Sequence, residues 1–150
     1  MVSSPSQPPT SGYRIRPARR GDASPIVTLL GESGAQADPN TVTWIISHPE
    51  MELLVAADQL DKVIGFVTFS HRPMLKTGGR SGTIDELCVA NAWRRKGVGR
   101  ELLRRAVDRA KVLSVKRLEV QTFSAVTPEL TAFFRACGFD LADVGTFRLR

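Results

Sequence analysis

Six consecutive residues, Arg94 to Gly99, combine three cationic side chains with two glycines that are separated by one residue. Apolar residues at helical spacing begin at Val98, so the glycines lie where a helix starts. The first N–H groups of a helix have no partner inside it and lie at the positive end of its dipole, and glycines let an anion approach the backbone without meeting a Cβ. This run, which we call the glycine turn, therefore predicts a phosphate-binding site.

The segment that contains the glycine turn also carries most of the positive charge. The formal net charge of the chain is +6, yet residues 94–117 hold ten of the 21 Lys and Arg residues and only two acids, Glu101 and Asp108. A patch this local predicts a polyanionic partner, which could be nucleic acid, an acidic protein surface or a phosphate-rich small molecule. Charge alone does not choose among these three.

The elements that must hold the turn follow from the apolar patterns. Residues 83–89 are apolar enough for a central strand, and an amphipathic helix follows it from Gly97. The Gly- and Lys-rich segment 74–82 predicts a loop. In chain order, the predicted strands cover residues 13–16, 52–57, 63–69, 83–89, 116–123, 139–141 and 146–149, with the second and third pairing as an antiparallel hairpin. Four helices are also predicted. The first begins at the N-cap Asp22, and the second runs from Pro39 to Ser47. The third begins at Gly97, and the fourth runs from the N-cap Thr127 to Cys137 and is ended by Gly138.

Length and composition limit the architecture. The chain of 150 residues, 42% hydrophobic and 24% charged, is about one globular domain, which we expect over residues 13–150 after a Ser- and Pro-rich disordered tail at 1–12. No apolar stretch approaches the roughly 20 residues that cross a bilayer, and no secretion signal is visible, so we expect a cytoplasmic protein without membrane contact. Two cysteines, Cys88 and Cys137, lack the spacing of a zinc site, so we expect no metal and two reduced thiols.

Two segments together resemble the GNAT superfamily of N-acetyltransferases. The first is a strand ending Leu87-Cys88-Val89 and then Arg94-x-x-Gly97-x-Gly99, similar to the family signature of Leu-x-Val, a short loop and Arg/Gln-x-x-Gly-x-Gly/Ala. The second, Thr127 to Phe139, is similar to Asn-x-x-Ala-x-x-Phe-Tyr-x-x-x-Gly-Phe. The resemblance covers residues 13–150 and implies an α/β (α+β) fold, with a mixed, mostly antiparallel sheet flanked by helices and with strands four and five splayed apart.

The resemblance also implies a co-substrate, acetyl-coenzyme A, and the residues that would bind it. The main chain of Leu87, Cys88 and Val89 would contact the pantetheine and acetyl group, while the glycine turn and Arg100 would surround the phosphates. The implied cofactor contacts are therefore Leu87, Cys88, Val89, Arg94, Arg95, Lys96, Gly97, Val98, Gly99, Arg100, Thr127 and Phe134.

Two of these positions depart from the family pattern. Phe134 stands where the family has the Tyr that protonates the departing thiolate, and Thr127 stands where it often has Asn. Since a thiol of this type has a pKa of about 8.5, by analogy with cysteine, a water or a Thr hydroxyl could supply that proton.

Three carboxylates are candidates for a general base: Asp85, Glu86 and Glu119. An alkylamine with a pKa of about 10.4 is mostly protonated at neutral pH, and only its neutral form attacks a thioester, so a base is useful. Alternation along a strand predicts that Asp85 and Glu86 lie on opposite faces, so that at most one of the pair faces the substrate. We favour Asp85, with Glu119 next and Glu86 close behind; the alternative for each is a surface or ion-paired acid.

These observations favour an N-acetyltransferase that acts on a primary amine of a small molecule or peptide, by direct attack in a ternary complex. One alternative is an acyl-coenzyme A sensor that has lost turnover, which Phe134 supports. Another is a nucleic-acid-binding module that uses the 94–117 patch; we rank it lower because the sequence lacks a helix-turn-helix, an aromatic stacking strand and a zinc framework. The resemblance makes a homodimer a further expectation, and the acceptor amine is not readable.

Overall fold

The computed structural model describes residues 12–122 and 125–150. Its sheet has five strands in the order β1-β2-β3-β4-β5, antiparallel throughout except for the parallel pair β4 and β5. The strands are β1 Tyr13–Pro17, β2 Met51–Asp58, β3 Val63–Met74, β4 Gly79–Val89 and β5 Val115–Val120. The helices are α1 Ala23–Glu32, α2 Pro39–Ser47, α3 Val98–Val112 and α4 Pro128–Ala136. The predicted mixed, mostly antiparallel sheet flanked by helices is confirmed.

Helices cover both faces of this sheet and create two cores. On one face, α3 buries Leu102, Leu103 and Ala106 completely, and α4 packs beside it through Phe133 and Phe134. On the other face lie α1 and α2, whose buried residues include Ala23, Ile26, Leu29 and Val42. Each large apolar side chain buried in this way stabilises the fold by about 1.5–3 kcal/mol, so β3 and β4, which contribute to both cores, are held rigidly.

Two predicted helix caps have different outcomes. The Thr127 hydroxyl accepts a hydrogen bond from the N–H of Leu130 at 3.1 Å, so it caps α4 as predicted. Asp22 does precede α1, but its side chain makes no capping bond. It instead accepts two hydrogen bonds from the guanidinium of Arg16, at 2.7 and 3.0 Å, in a buried ion pair, and this charged pairing replaces the weaker cap.

The loop predicted for residues 74–82 is wrong for most of that segment. The β3–β4 ladder continues to the pair Met74 and Gly79, and only a short turn that includes a single 3₁₀ turn, Leu75–Thr77, connects the strands. A Cβ at Gly82 would lie 3.1 Å from side-chain atoms of both Val115 and Leu118 on β5. Gly82 suggests a loop in the sequence, but it lies within β4, where the close packing of β5 leaves little room for a side chain.

The two closing strands predicted at 139–141 and 146–149 are also wrong. Residues 139–150 form no strand, and Phe147 and Leu149 are 100% and 97% exposed. Their apolar alternation suits a strand, but a strand also needs a neighbour for its hydrogen bonds, and none of the described strands pairs with this segment. β5 ends at Val120, before the predicted end at Phe123, which itself lies outside the described residues.

Nothing in the structure tests the predicted tail, because positions 1–11 lie outside the described residues. None of the helices in the described ranges combines the length and apolarity needed to cross a membrane.

Candidate active site

The central feature of the site is a gap between β4 and β5. The two strands pair only from Arg80 to Ile84 of β4, and the N–H of Gln121 makes the last hydrogen bond, 3.1 Å to the carbonyl of Ile84. β4 continues to Val89 with β3 as its only partner strand. The predicted splay of strands four and five is therefore confirmed, and it begins directly after Ile84.

Backbone groups of β4 point into this gap. The N–H of Ala90 donates to the carbonyl of Ile64 on β3 at 2.8 Å. Because N–H and C=O groups alternate in direction along a strand, those of Val89 and Leu87 point the other way, toward the gap. An extended ligand that carries amide groups can pair with this free edge in the manner of an additional strand.

The glycine turn lies at one end of the gap, where α3 begins. The first hydrogen bond inside α3 runs from the N–H of Glu101 to the carbonyl of Gly97 at 3.0 Å. The preceding N–H groups, at Val98, Gly99 and Arg100, donate to no acceptor among the residues that the structure describes. This is the arrangement of unpaired amides at a helix start that binds phosphate.

The backbone of the turn is bent to expose these amides. Gly97 has φ +84° and Arg95 has φ +60°, both in the left-handed region. Gly97 adopts this conformation easily, but Arg95 does so at a cost of about 1–2 kcal/mol. A non-glycine residue held in this conformation is a recurrent feature of binding sites.

The cations of the turn are exposed and lightly engaged. The Nε atom of Arg94 donates to the carbonyl of Val89 at 3.3 Å, and the ammonium of Lys96 lies 5.3 Å from the centre of the Trp93 ring. A guanidinium nitrogen of Arg100 lies 3.4 Å from the carbonyl of Ala136. Within the described residues no carboxylate forms a salt bridge with these cations, so their charge is available to an anion.

Gly99 controls the passage from the turn into the gap. A Cβ placed on it would lie 3.6 Å from Cγ2 of Val89 and 3.7 Å from Cζ of Phe133. A methyl group would fit at these distances, whereas a larger side chain would fill the space between β4 and α4. A ligand could therefore pass from the turn into the gap only if this residue is no larger than alanine.

A β-bulge orients the two acids of β4. Between Ile84 and Glu86 the register of β4 against β3 shifts by one residue, which leaves Asp85 as the extra residue. Ile84 and Leu87 both pack in the core under α3, so Asp85 and Glu86, which lie between them, both face the α1 side of the sheet. The prediction that the two acids lie on opposite faces is wrong, because regular alternation stops at the bulge.

Hydroxyl groups of β3 hold both carboxylates. The Thr68 hydroxyl donates to Oε1 of Glu86 at 2.6 Å. Burial raises the pKa of Asp85 above its usual value of 3.8, and the charge of Glu86 adds to that increase, while hydrogen bonds with Ser70 oppose it. An acid with a raised pKa is a stronger proton acceptor once it is ionised.

These acids line a cleft of about 540 Å³, which we call the carboxylate cleft. It takes residues from the end of α1 and the following loop, from β4, from the end of β5 and from α4. The residues that line it are Leu30, Ser33, Ala35, Ile84, Asp85, Glu86, Leu87, Cys88, Val120, Gln121, Thr122, Leu130, Phe133 and Phe134. The structure thus brings Asp85, Glu86, Leu87, Cys88 and Phe134 together, as the sequence predicted for a single site.

Two predicted site residues lie elsewhere. Glu119 lines a neighbouring hollow of about 330 Å³ beside α4 and is not among the residues of the carboxylate cleft. The hydroxyl of Thr127 is used as the cap of α4. Conversely, sequence reasoning missed Ser33, which directly follows α1, and Thr68 and Ser70 on β3, since no local pattern marks them.

Cys88 faces the same side of the sheet as the two acids. Burial raises the pKa of its thiol, and a hydrogen bond with Ser33 opposes that shift. A buried thiol with a raised pKa is a poor nucleophile. Among the described residues there is also no group of three or more acids, histidines and cysteines that could hold a metal ion.

Comparison with known proteins agrees with this geometry. The model of the acetyltransferase (GNAT) family matches residues 24–139. The chain belongs to this GNAT family. Members of the family use acetyl-coenzyme A as co-substrate, and the free amides, exposed cations and open passage at the glycine turn fit such a ligand.

Individual proteins that are similar to this chain carry names that state different functions. The rice (Oryza sativa subsp. japonica) protein glucosamine 6-phosphate N-acetyltransferase 1 is 28% identical over 137 residues, which cover 85% of this chain and 81% of the relative. A solved transcriptional regulator from Bacillus halodurans C-125 has a TM-score of 0.79 at 22% identity, with 92% of this chain and 99% of the other covered. Glucosamine-6-phosphate N-acetyltransferase from Arabidopsis thaliana has a TM-score of 0.78 at 16% identity, with 91% and 97% covered. The two structures establish a shared fold.

Proposed function

We propose that this protein transfers the acetyl group of acetyl-coenzyme A to a primary amine of a small molecule or peptide, by direct attack in a ternary complex. One observation carries the proposal: the β4–β5 gap connects the glycine turn, with its free helix amides, at one end with a carboxylate-lined cleft at the other. A thioester that followed β4 from the turn would reach the cleft at the level of Leu87 and Cys88. Positioning of this kind accounts for a large part of the rate in such reactions.

The co-substrate would be bound mainly by the main chain. The N–H groups of Val98, Gly99 and Arg100 would receive the diphosphate, with Arg94, Arg95 and Lys96 adding charge. The free edge of β4 would pair with the pantetheine amides, and an N–H near Val89 would polarise the thioester carbonyl. Leu87, Cys88 and Phe134 would form the apolar surroundings.

Asp85 would act as the base that produces the neutral amine. Asp85 takes one proton from the ammonium group, directly or through a water, and the neutral nitrogen attacks the thioester carbonyl carbon. A C–N bond forms, the C–S bond breaks, and the second proton on nitrogen is released through water toward the departing thiolate. The raised pKa of Asp85 and its hydrogen bonds with Ser70 suit that role. The thiolate would take its proton from water or from the Thr122 hydroxyl, which lines the same cleft.

The direct test is a thiol-release assay with acetyl-coenzyme A and a panel of amines and peptides. We expect release of free coenzyme A that depends on an amine, together with acetylated product detected by mass spectrometry. Tight binding of acetyl-coenzyme A without thiol release with any acceptor would contradict the proposal. That result would favour the second candidate, an acyl-coenzyme A sensor, which the absence of a hydroxyl on Phe134 supports.

A nucleic-acid-binding function has less support. Two arginines of the 94–117 patch are engaged in ion pairs: Arg104 with Glu101 and Asp108, and Arg109 with Glu52. These pairs reduce the charge that the helix α3 offers to a polyanion. The proposed homodimer and the cytoplasmic location stay predictions from the sequence.

A further inference from the structure

The charge of the carboxylate cleft restricts the acceptor. Asp85 and Glu86 are the acids among its lining residues, and none of those residues is Lys, Arg or His.

One cation that acts on the cleft, Arg94, belongs to the other end of the gap. Arg94 is close enough to influence the Cys88 thiol, but its Nε donates to the Val89 carbonyl and it is part of the glycine turn. A phosphate on the acceptor would have to compete there with the diphosphate of the co-substrate. It would also lie in the same small cleft as two carboxylates, and like charges in a partly desolvated site repel strongly.

The rest of the cleft is mainly apolar, and its other polar side chains, Ser33, Gln121 and Thr122, are uncharged. Leu30, Leu87, Leu130, Phe133 and Phe134 form its walls, and the hydroxyls of Thr68 and Ser70 already hold parts of the two acids in place. Methylene groups fit such walls, and ammonium groups fit the two carboxylates. The amino sugar phosphate in the names of two relatives has one ammonium group but no alkyl spacer and no second ammonium group, and its phosphate would face the two carboxylates.

We propose that the acceptor is a linear polycationic amine without phosphate, whose alkyl spacer contacts the apolar walls while its second ammonium group pairs with Glu86. This inference rests on the proposed function and adds a division of roles. Asp85 receives the proton of the reacting amine, whereas Glu86 is a specificity residue that binds the non-reacting cation. Loss of Glu86 should therefore change KM for the polyamine more than kcat.

The test compares matched acceptors on the full-length chain. Spermidine is compared with n-butylamine, which has one amine, and glucosamine is compared with glucosamine 6-phosphate. We expect kcat/KM for spermidine to exceed that for n-butylamine by about tenfold, since a partly buried ion pair contributes at this level. Glucosamine 6-phosphate should be poorer than glucosamine. Equal values for the two alkylamines, or a preference for the phosphorylated sugar, would overturn the inference.

Glu86→Gln keeps the shape of the side chain and an acceptor for the Thr68 hydroxyl. We expect it to raise KM for spermidine about tenfold and to lower kcat/KM for spermidine several times more than kcat/KM for n-butylamine. Asp108→Asn is the control, because it removes one negative charge from the exposed face of α3. An equal loss with both alkylamines in Glu86→Gln would contradict a role in specificity.

Calorimetry separates failure of this inference from failure of the proposed function. If acetyl-coenzyme A does not bind, the proposed function fails; if it binds and the sugar phosphate is preferred, only the inference fails. Where no acceptor turns over, titration of spermidine into the protein decides. Binding that Glu86→Gln weakens about tenfold supports the inference, and binding that is absent or unchanged in the variant overturns it.

Discussion

The glycine turn and the carboxylate cleft lie at opposite ends of one gap, and they differ in how the chain builds them. The turn offers backbone N–H groups and is made of consecutive residues, 94–99. The cleft presents side chains that four separate parts of the chain bring together. The turn carries positive charge and the cleft negative charge. A binding surface made of backbone therefore leaves a readable sequence motif, whereas one made of converging side chains does not.

The largest expected effect comes from closing the passage between the two regions. In Gly99→Trp the indole would occupy the space that now separates Gly99 from Val89 and Phe133, where even a Cβ is within 3.7 Å. We expect affinity for acetyl-coenzyme A to fall at least about 100-fold, because the diphosphate loses access to the amides of α3. Isothermal calorimetry measures this change, and circular dichroism checks that the fold is kept.

Gly145→Trp provides the matched control for that substitution. A Cβ at Gly145 would meet no atom within 4 Å, so the same indole is added at an exposed position. Acetyl-coenzyme A should bind this variant as it binds the wild type. If Gly99→Trp also kept full affinity, the ligand would not pass between β4 and α4 and the assignment of the turn would be wrong.

The next effect is chemical and belongs to the cleft. Asp85→Asn should lower kcat about 100-fold and leave the affinity for acetyl-coenzyme A unchanged, because a general base contributes about this much and does not touch the phosphates. Since burial raises the pKa of Asp85, the acidic limb of the wild-type pH–rate profile should lie above the usual range of an aspartate. A profile without this limb, or an unchanged kcat in Asp85→Asn, would mean that another group acts as the base.

The two regions also explain how far the sequence could be read. Apolar periodicity located all four helices and the first five strands, because the residues that create these patterns are the ones that pack the two cores. It also predicted two strands after Gly138 that do not form, since periodicity says nothing about whether a strand finds a neighbour.

For a related reason, the sequence could not predict which face of the sheet Asp85 and Glu86 lie on. Their facing depends on a register shift against β3, which is a property of two strands that are distant in the sequence. Thr68 and Ser70 escaped notice in the same way, because a Thr or Ser on a strand has no signature until its partner is known. The motif Arg94 to Gly99 needed no such information.

A smaller effect is expected from a substitution in the glycine turn that should change ligand affinity and protein stability in opposite directions. Arg95 has a left-handed backbone at φ +60°, so Arg95→Gly relieves strain while it removes one exposed cation. We expect affinity for acetyl-coenzyme A to fall about threefold, and the free energy of unfolding to rise by up to about 1 kcal/mol. Calorimetry and urea denaturation measure the two quantities.

Arg20→Gly removes an exposed arginine from a turn without left-handed backbone and serves as the control for charge. It should neither lower the affinity for acetyl-coenzyme A nor raise the free energy of unfolding, the two changes expected for Arg95→Gly. If Arg95→Gly were less stable than the wild type, the strain assigned to the turn would be absent.

The smallest expected effect is on the pH dependence of stability. It compares the carboxylate cleft with a buried histidine near the far end of the same strands. His71 lies on β3 near its end, is 4% exposed, and has its pKa lowered below 6.5 by burial and by the charge of Arg80, against the opposing charges of Glu52 and Glu50. The folded state therefore binds fewer protons than the unfolded state, and stability falls as pH decreases through 6.5 toward the lowered value. Asp85 has the opposite sign, since a raised pKa favours the folded state as pH falls.

Melting temperatures between pH 7.5 and pH 5.5 test this difference. The wild type should lose a few degrees over that range, because His71 must remain neutral in the folded protein. In His71→Gln, which keeps a side chain able to accept a hydrogen bond from Arg80, the slope attributable to this residue should disappear. When the range is extended down to about pH 4, toward the usual pKa of 3.8, Asp85→Asn should instead make the loss on acidification steeper, since it removes a group whose protonation stabilises the fold. Equal slopes in all three proteins over the extended range would mean that neither group changes its proton affinity on folding.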